Sequence, residues 1–354
     1  MNQTEETRKD GALTLLDIAN NLGLNKTTVS KALNNSSDIS RETRERVLAE
    51  ADRIGYVKHR YKKASSKMST LIGIVCPEVT SHYYSQTVTF LNSRLQEKGY
   101  SMILTLSDFS PEIEKRQLAQ LVQMNVAGVI MITEQTDLSP AIHSIPGADA
   151  IPMVIMGLNY ESRDIDVVSI DEKSGVRAVA EHLLEQGHRR IGFIGDRFVN
   201  PRLESLRYFL SINGIPLPDE YIVLSDKRNE ECGYEGMRRL LQLKAHPTAV
   251  LAGYDSIALG AYRALSEAKL RIPEDIALVG VDDSDFCRYL PCSMTSVNYD
   301  IAAECRVATA ILLGRIHDRE QKFVQTAAIV PRLVVRESTS GFRAHLPQEK
   351  DADH

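Results

Sequence analysis

Thr14–Asn34 reads TLLDIANNLGLNKTTVSKALN, and its spacing predicts two short helices joined by a tight turn. Leu15, Ile18, Ala19 and Leu22 recur at helical intervals and form one apolar face. Thr14 stands before that run with Asp17 three residues on. This sets a hydroxyl at the helix start and a carboxylate in the first turn, where the helix dipole favours it. Gly23 is the expected break, because glycine takes positive φ without steric cost. Asn25 is placed to cap a second helix, Lys26–Leu33, whose Val29, Ala32 and Leu33 turn inward. Lys26, Thr27, Ser30 and Lys31 are left outward, a polar and cationic surface narrow enough for the major groove of a duplex. The same local pattern also suits a helical hairpin that merely caps a core, so the rest of the chain decides between them.

The length, 354 residues, allows two or three domains with a large buried core. Apolar residues make up 43% and charged residues 25%, which points to a globular chain. There is no apolar run of about eighteen residues, so no membrane span is expected. The opening MNQTEETRKD lacks the apolar core of a signal peptide, and a cytoplasmic location is the expectation. Cys76, Cys232, Cys287, Cys292 and Cys305 form no C-x-x-C pair. Their odd number and scatter fit reduced thiols rather than a disulfide frame or zinc site.

A net charge of −5 argues against a nucleic-acid partner only if it is spread evenly. It is not. Residues 1–70 hold 13 Lys/Arg against 9 Asp/Glu, a balance of +4, and the remainder carries −9. A basic end on an acidic body is the asymmetry expected when one small domain meets phosphate. The densest part, Arg53 to Lys67, has Arg53, Lys58, Arg60, Lys62, Lys63 and Lys67 and no acid, although a solvated linker would look the same.

Outward from the two helices, residues 1–12 are polar and read as a disordered tail. SRETRERVLAEADRIGY predicts a third helix opened by Ser40 and ended by Gly55, with Val47, Leu48, Ala51 and Ile54 on one face. Residues 13–57 thus form a minimal headpiece, and 58–70 a bridge without apolar pattern. From Thr70 the grammar changes. LIGIVCP, SMILTLS, GVIMIT and IPMVIMG read as buried strands alternating with amphipathic helices. The alternation restarts at VVSIDEKSGVRAVAEHLLEQGHRRIGFIG and runs through TAVLAGYDSIALGAYRAL and IALVGVDD. Such alternation means parallel sheets covered by helices on both faces. The fold class is therefore α/β: a three-helix headpiece and a bilobed body of two parallel-sheet subdomains. The first lobe is expected at about 71–171 and 300–327, and the second at about 172–299 and 328–340, with 341–354 a polar tail. Ligands of open α/β sheets bind beyond the carboxyl ends of the strands, which places a site in the cleft between lobes.

In these motifs, their order and their spacing, the chain from Leu13 to Ser340 resembles the LacI/GalR family of bacterial transcription repressors. The resemblance rests on TLLDIANNLGLNKTTVSKALN, ISRETRERVLAEADRIGY, EHLLEQGHRRIGFIG, PTAVLAGYDSIALGA, RIPEDIALVGVDD and PRLVVREST. It implies a periplasmic-binding-protein-like body and a homodimer or tetramer whose paired headpieces bind a near-palindromic operator in double-stranded DNA. It also implies a small-molecule effector whose binding shifts the lobes. The short polar tail GFRAHLPQEKDADH favours a dimer over a heptad-built tetramer. Lys26, Thr27 and Lys31 match family base readers, while Thr14, Asn25, Thr28, Ser30 and Asn34 match residues that bond phosphates and fix register. His59 and Arg60 extend the DNA-binding set. The hinge departs from the family: Lys58 replaces a proline, and RYKKASSK puts Ala64 or Ser65 where a leucine wedge is usual. Binding with a steeper salt dependence than a leucine-hinged relative is the expectation.

For the cleft, the resemblance carries over Arg202 and Asp282 as effector ligands, with Asp171 and Asp255 in comparable strand-end places. Of these two, Asp171 is expected to face the ligand and Asp255 to cap a helix. Tyr83 and Tyr84 are expected to contact it from the first lobe. Arg228 stands where many sugar-binding relatives have a stacking ring, and Tyr254 where they have asparagine. An arginine there suggests an anionic ligand, a sugar acid or sugar phosphate rather than a plain sugar. No catalytic motif stands in a suitable context, and His182 and His188 read as capping or surface residues. No enzyme activity, metal or cofactor is expected. The leading expectation is an effector-responsive repressor of a carbohydrate-catabolic operon. Its alternatives are a catabolite-control regulator governed by a partner protein, and a solute-binding protein.

Overall fold

The computed structural model describes residues 14–33, 36, 38–54, 69–135, 137–158, 162–318 and 323–341. The expectations for residues 1–12, for 342–354, for Asn34, and for the hinge residues Lys58, His59, Arg60, Ala64 and Ser65 lie outside these. The chain divides into two compact units, residues 1–68 and 69–354.

In the first unit, α1 (Leu15–Leu22), α2 (Lys26–Leu33) and α3 (Arg41–Arg53) follow the sequence pattern. Thr14 and Asp17 form a capping box: the Leu16 amide donates to the Thr14 hydroxyl, and the Thr14 amide to the Asp17 carboxylate at 2.6 Å. Two otherwise orphaned amides are satisfied this way. Gly23 closes α1 at φ +65°, where a side chain would be strained. Asn25 opens α2 by accepting from the Thr28 amide at 2.7 Å. Ile18, Ala19, Val29, Ala32, Leu33, Val47 and Ala51 make the core. Leu48, expected on the inner face, is instead 46% exposed, because one step along a helix turns a side chain by about 100° from Val47.

The second unit holds two six-stranded sheets. β1 (Leu71–Cys76), α4 (His82–Glu97), β2 (Ser101–Leu106), α5 (Pro111–Gln123), β3 (Gly128–Thr133), α6 (Ser139–His143), β4 (Met153–Leu158) and β5 (Asp166–Ile170) come first. Then follow α7 (Glu172–Glu185), β6 (Ile191–Asp196), α8 (Asn200–Ile212), β7 (Ile222–Ser225), α9 (Asn229–Leu240), β8 (Ala249–Ala252), α10 (Asp255–Glu267), β9 (Ala277–Val281) and β10 (Thr295–Asn298). The series ends with α11 (Ile301–His317), β11 (Thr326–Ile329) and β12 (Arg332–Val334). Strand orders are β2-β1-β3-β4-β5-β11 and β7-β6-β8-β9-β10-β12. All described pairings are parallel except β10 with β12. Strands β3 and β6 are buried along their whole length, as helices on both faces require.

The chain crosses between sheets at three places: Ile170 to Glu172, Asn298 to Ile301, and Ile329 to Arg332. The last differs from the expected boundary at 327, since β11 continues to Ile329 beside β5. Helices α9 and α10 pack backbone to backbone. A Cβ on Gly233 would lie 1.7 Å from the Ile257 carbonyl oxygen, and one on Gly260 1.9 Å from that of Glu230. His188, expected at the surface, is fully buried, and burial pushes its imidazole down to about 4, so it stays neutral.

Candidate functional site

Two surfaces carry chemistry, one in each unit. On α2, Lys26, Thr27 and Lys31 are exposed while Val29, Ala32 and Leu33 are buried, so the cationic face of this helix is free of the headpiece core. Thr28 and Ser30 are half-buried, and Thr28 donates through its hydroxyl to Asn25 at 2.8 Å. Lys31 pairs with Asp38 at 3.0 Å, a contact the helical pattern did not announce. At about half exposure such a pair is weak.

In the body, a cavity of about 410 Å³ lies between the lobes. Its wall comes from loops and helix starts beyond the carboxyl ends of strands in both sheets, as the crossover topology of α/β sheets dictates. Tyr83, Tyr84, Arg202, Arg228, Tyr254 and Asp282, all singled out from sequence, line it. Asp171 and Asp255 are not among its lining residues. Asp171 caps α7, accepting from the amide and hydroxyl of Ser174 at 3.2 and 2.5 Å, so its carboxylate is spent on the helix end. Its neighbour Glu172 turns into the protein instead and meets Arg202. Asp255 lies behind the wall, accepting from the Ser284 amide and the Ser296 hydroxyl, both at 2.6 Å. Gly280 makes room for it, since a Cβ there would stand 2.1 Å from its Oδ1.

Arg202, on the first turn of α8, is the most heavily engaged group. Its Nε donates to Glu172 and, at 3.1 Å, to the Tyr299 hydroxyl, and Nη1 donates to the Gly253 carbonyl. Tyr299 in turn donates to Glu172 at 3.0 Å. Burial works against the guanidinium charge, but the Glu172 carboxylate outweighs it and holds Arg202 well above its ordinary value. Glu172 and Tyr299 belong to two of the three crossovers, so this network ties the cavity wall to the connections between the sheets.

Burial first, and then the neighbouring Asp255 charge, push the Asp282 carboxyl well above the usual carboxylate range, against the pull of Arg202. Asp282 and Asp283 both hold positive φ, +105° and +52°, a strained turn that aims Asp282 at the cavity. Glu134 accepts from the Tyr84 hydroxyl, and burial raises its carboxyl too. Tyr83 donates to Glu304 at 3.1 and 3.2 Å.

Arg228 does line the cavity, but its charge is already answered. It donates to Asp196 at 3.4 Å, lies 3.9 Å from Glu78, and sits over the rings of Phe109 and Phe198 at 5.0 and 5.1 Å. Tyr254 donates its hydroxyl to the same Asp196. Both cavity arginines, Arg202 and Arg228, thus have carboxylate partners of their own. Sequence reading missed Phe109, Glu134, Phe198 and Tyr299 in the wall and Glu172 and Asp196 just behind it. Each stands at or just after a strand end, a positional signal that was available once the strands were drawn.

Comparison with known proteins agrees with this architecture. Residues 14–59 match the model of bacterial regulatory proteins of the lacI family, and residues 180–339 that of the periplasmic binding protein-like domain. The HTH-type transcriptional repressor PurR of Proteus mirabilis is 31% identical over 334 residues, covering 92% of this chain and 97% of its own. A complex of the transcriptional regulator CelR with cellobiose superposes with TM-score 0.67 at 28% identity, over 92% of this chain and 99% of the other. The lac repressor dimer bound to operator and the anti-inducer ONPF gives 0.68 at 25%, over 93% and 99%. These relatives are transcriptional regulators, not enzymes, and no described helix is long and apolar enough to cross a membrane. The chain belongs to the lacI family: it is a helix-turn-helix transcriptional regulator with a periplasmic-binding-protein-like effector domain.

Proposed function

We propose that this regulator represses a carbohydrate-catabolic operon by binding a near-palindromic operator as a homodimer, under control of a neutral polyhydroxylated ligand held between the lobes. Lys26, Thr27 and Lys31 read base edges from α2, while Thr14, Asn25, Thr28 and Ser30 bond phosphates and fix the register. In the cleft, Arg202, Asp282, Glu134 and Tyr84 exchange hydrogen bonds with ligand hydroxyls. The observation that carries the reading is the network of Arg202 with Glu172 and Tyr299, because a ligand that bonds Arg202 acts directly on two crossovers. Differential contacts there bias one lobe arrangement over the other, and with it operator affinity. Ligand neutrality is supported by the pairing of both cavity arginines with carboxylates. The relatives point the same way, since CelR is seen with cellobiose and the lac repressor as a dimer on its operator.

The test has two parts. Duplexes selected from a random pool by the full-length protein are measured by fluorescence anisotropy, and a panel of neutral sugars, sugar acids and sugar phosphates is titrated by calorimetry. Lys26→Ala is expected to weaken duplex binding and reduce the slope of log K against log salt by about one if Lys26 displaces one counterion. Preferential binding of the anionic compounds would refute neutrality. A ligand that binds without altering duplex affinity would refute the coupling.

A further inference from the structure

Five rings run in contact across the cleft. Tyr299 meets Tyr83 at 6.4 Å, Tyr83 meets Tyr84 at 5.2 Å, and Tyr84 meets Phe109 at 5.9 Å, all edge to face. The last contact differs. Phe109 and Phe198 stack with centroids 4.4 Å apart and planes 30° from parallel. Phe109 follows β2 in the first lobe and Phe198 follows β6 in the second, so this stack joins the lobes. It also lies at the rim, since both phenylalanines are half-buried whereas Tyr83, Tyr84, Tyr254 and Tyr299 are buried.

Three further observations mark the stack as built. Arg228 lies over both rings and reaches Glu78 of the opposite lobe, adding a cation–π contact and an interlobe ion pair at one point. Arg197 brings a second guanidinium 4.7 Å from the Phe198 centroid. The loop that presents Phe109 holds two consecutive non-glycine residues, Asp108 and Phe109, at φ +50° and +58°. Such a pair is disfavoured in a free loop and persists where neighbouring contacts over-determine it. At 4.4 Å the facing sides of the two rings cover each other, so while the stack holds they offer no platform between them for a ligand.

We propose that Phe109, Phe198 and Arg228 form a clasp that holds the lobes together at the mouth of the cleft without any ligand, and so admits only ligands that fit the cavity behind it or part the stack to enter. The clasp rests on the cleft being the effector site, but its test needs no effector, so the two readings fail separately. Removing one ring lowers the closed-to-open ratio by a factor of about five, the share that a stacked aromatic pair contributes.

Two measurements on ligand-free, full-length protein decide the matter. The chain has no tryptophan, so Phe198→Trp introduces a single indole. Acrylamide quenching of that indole is expected to be weak, and to rise in the F198W/F109A double variant. Independently, spin labels on K115C and K244C, exposed positions on α5 and after α9, report the interlobe distance in a C292S background with Phe198 native. F109A and F198A are each expected to add a longer-distance population. If Phe198→Trp misfolds, the spin-label pair alone decides. Equal quenching in the single and double variants, or a distance distribution unchanged by both alanine variants, overturns the clasp.

Discussion

Glu304→Gln tests the energetics of the buried acid behind Tyr83. Glu304 lies on α11, fully buried, with the Tyr83 hydroxyl bonded across both its oxygens. Burial pushes its carboxyl from 4.5 up to about 8. An unfolded chain releases this proton near the lower value and the folded chain only near the upper. Between them the folded state binds the extra proton, so stability falls as pH rises through the window, by about 1.4 kcal/mol per pH unit. The accumulated loss is roughly 3 kcal/mol at pH 7 and about 4 kcal/mol at pH 8. Glutamine cannot ionise and escapes this loss. It keeps an acceptor for Tyr83 but brings amide hydrogens into a buried site, at about 1 kcal/mol. The variant is therefore expected to be about 1 kcal/mol less stable than the parent at pH 4.5 and about 2 kcal/mol more stable at pH 7. Urea unfolding of both proteins from pH 4.5 to 8 measures the difference directly, and shared titrations cancel. A difference that stays constant across that range would refute the argument, because it would mean that Glu304 titrates alike in folded and unfolded chains.

Gly260→Ala forces a methyl to within 1.9 Å of the Glu230 carbonyl, and α9 and α10 must separate; a loss of about 3 kcal/mol is expected, read as a lowered Tm of the body. A parent-like Tm would show that the helices yield at no cost. Thr14→Ala removes the α1 capping box and is expected to cost about 1 kcal/mol, seen as faster amide exchange across α1 and α2. Arg202→Lys leaves at least one of Glu172, Tyr299 and the Gly253 carbonyl without its donor, for a loss of about 2 kcal/mol in urea unfolding. His143 hydrogen-bonds to Asp164 and Asp149, which raise its imidazole above the ordinary value. That stabilisation is present in acid and fades as pH rises through the raised value. The NMR titration of His143 should fall back toward the ordinary range in D164N, and an unmoved midpoint would discount the pair.

Local rules were enough where a local cause decides the structure. The capping box at Thr14, the turn at Gly23 and the Val/Ile runs of β1 and β3 each follow from a few neighbouring residues, and the structure has them where the pattern places them. Arg202 and Asp282 were legible through the family resemblance, and both line the cavity between the lobes. The misreading of Asp171 turns on a single helical step: adjacent acids at a helix start diverge by about 100°, and only the position of Arg202 says which one is recruited. Phe109 and Phe198 stand 89 positions apart in unremarkable loops, and nothing in either loop announces the other. Likewise the partners of Arg228 come from strand ends on both lobes and exist only once the sheets have packed.

The three crossings limit how this body can move. Between the flanking elements they contain one or two residues each, and the last is Val330–Pro331, where the proline ring removes a torsion. A residue spans at most about 3.6 Å, so such short connections cannot let the lobes slide far apart. What remains is turning about the three crossings together, driven by small torsion changes at Asp171, Tyr299–Asp300 and Val330. Any signal leaving the cleft is therefore an angle rather than a displacement. Substitutions at the crossings should change how readily the lobes turn while leaving the direction of the turn intact.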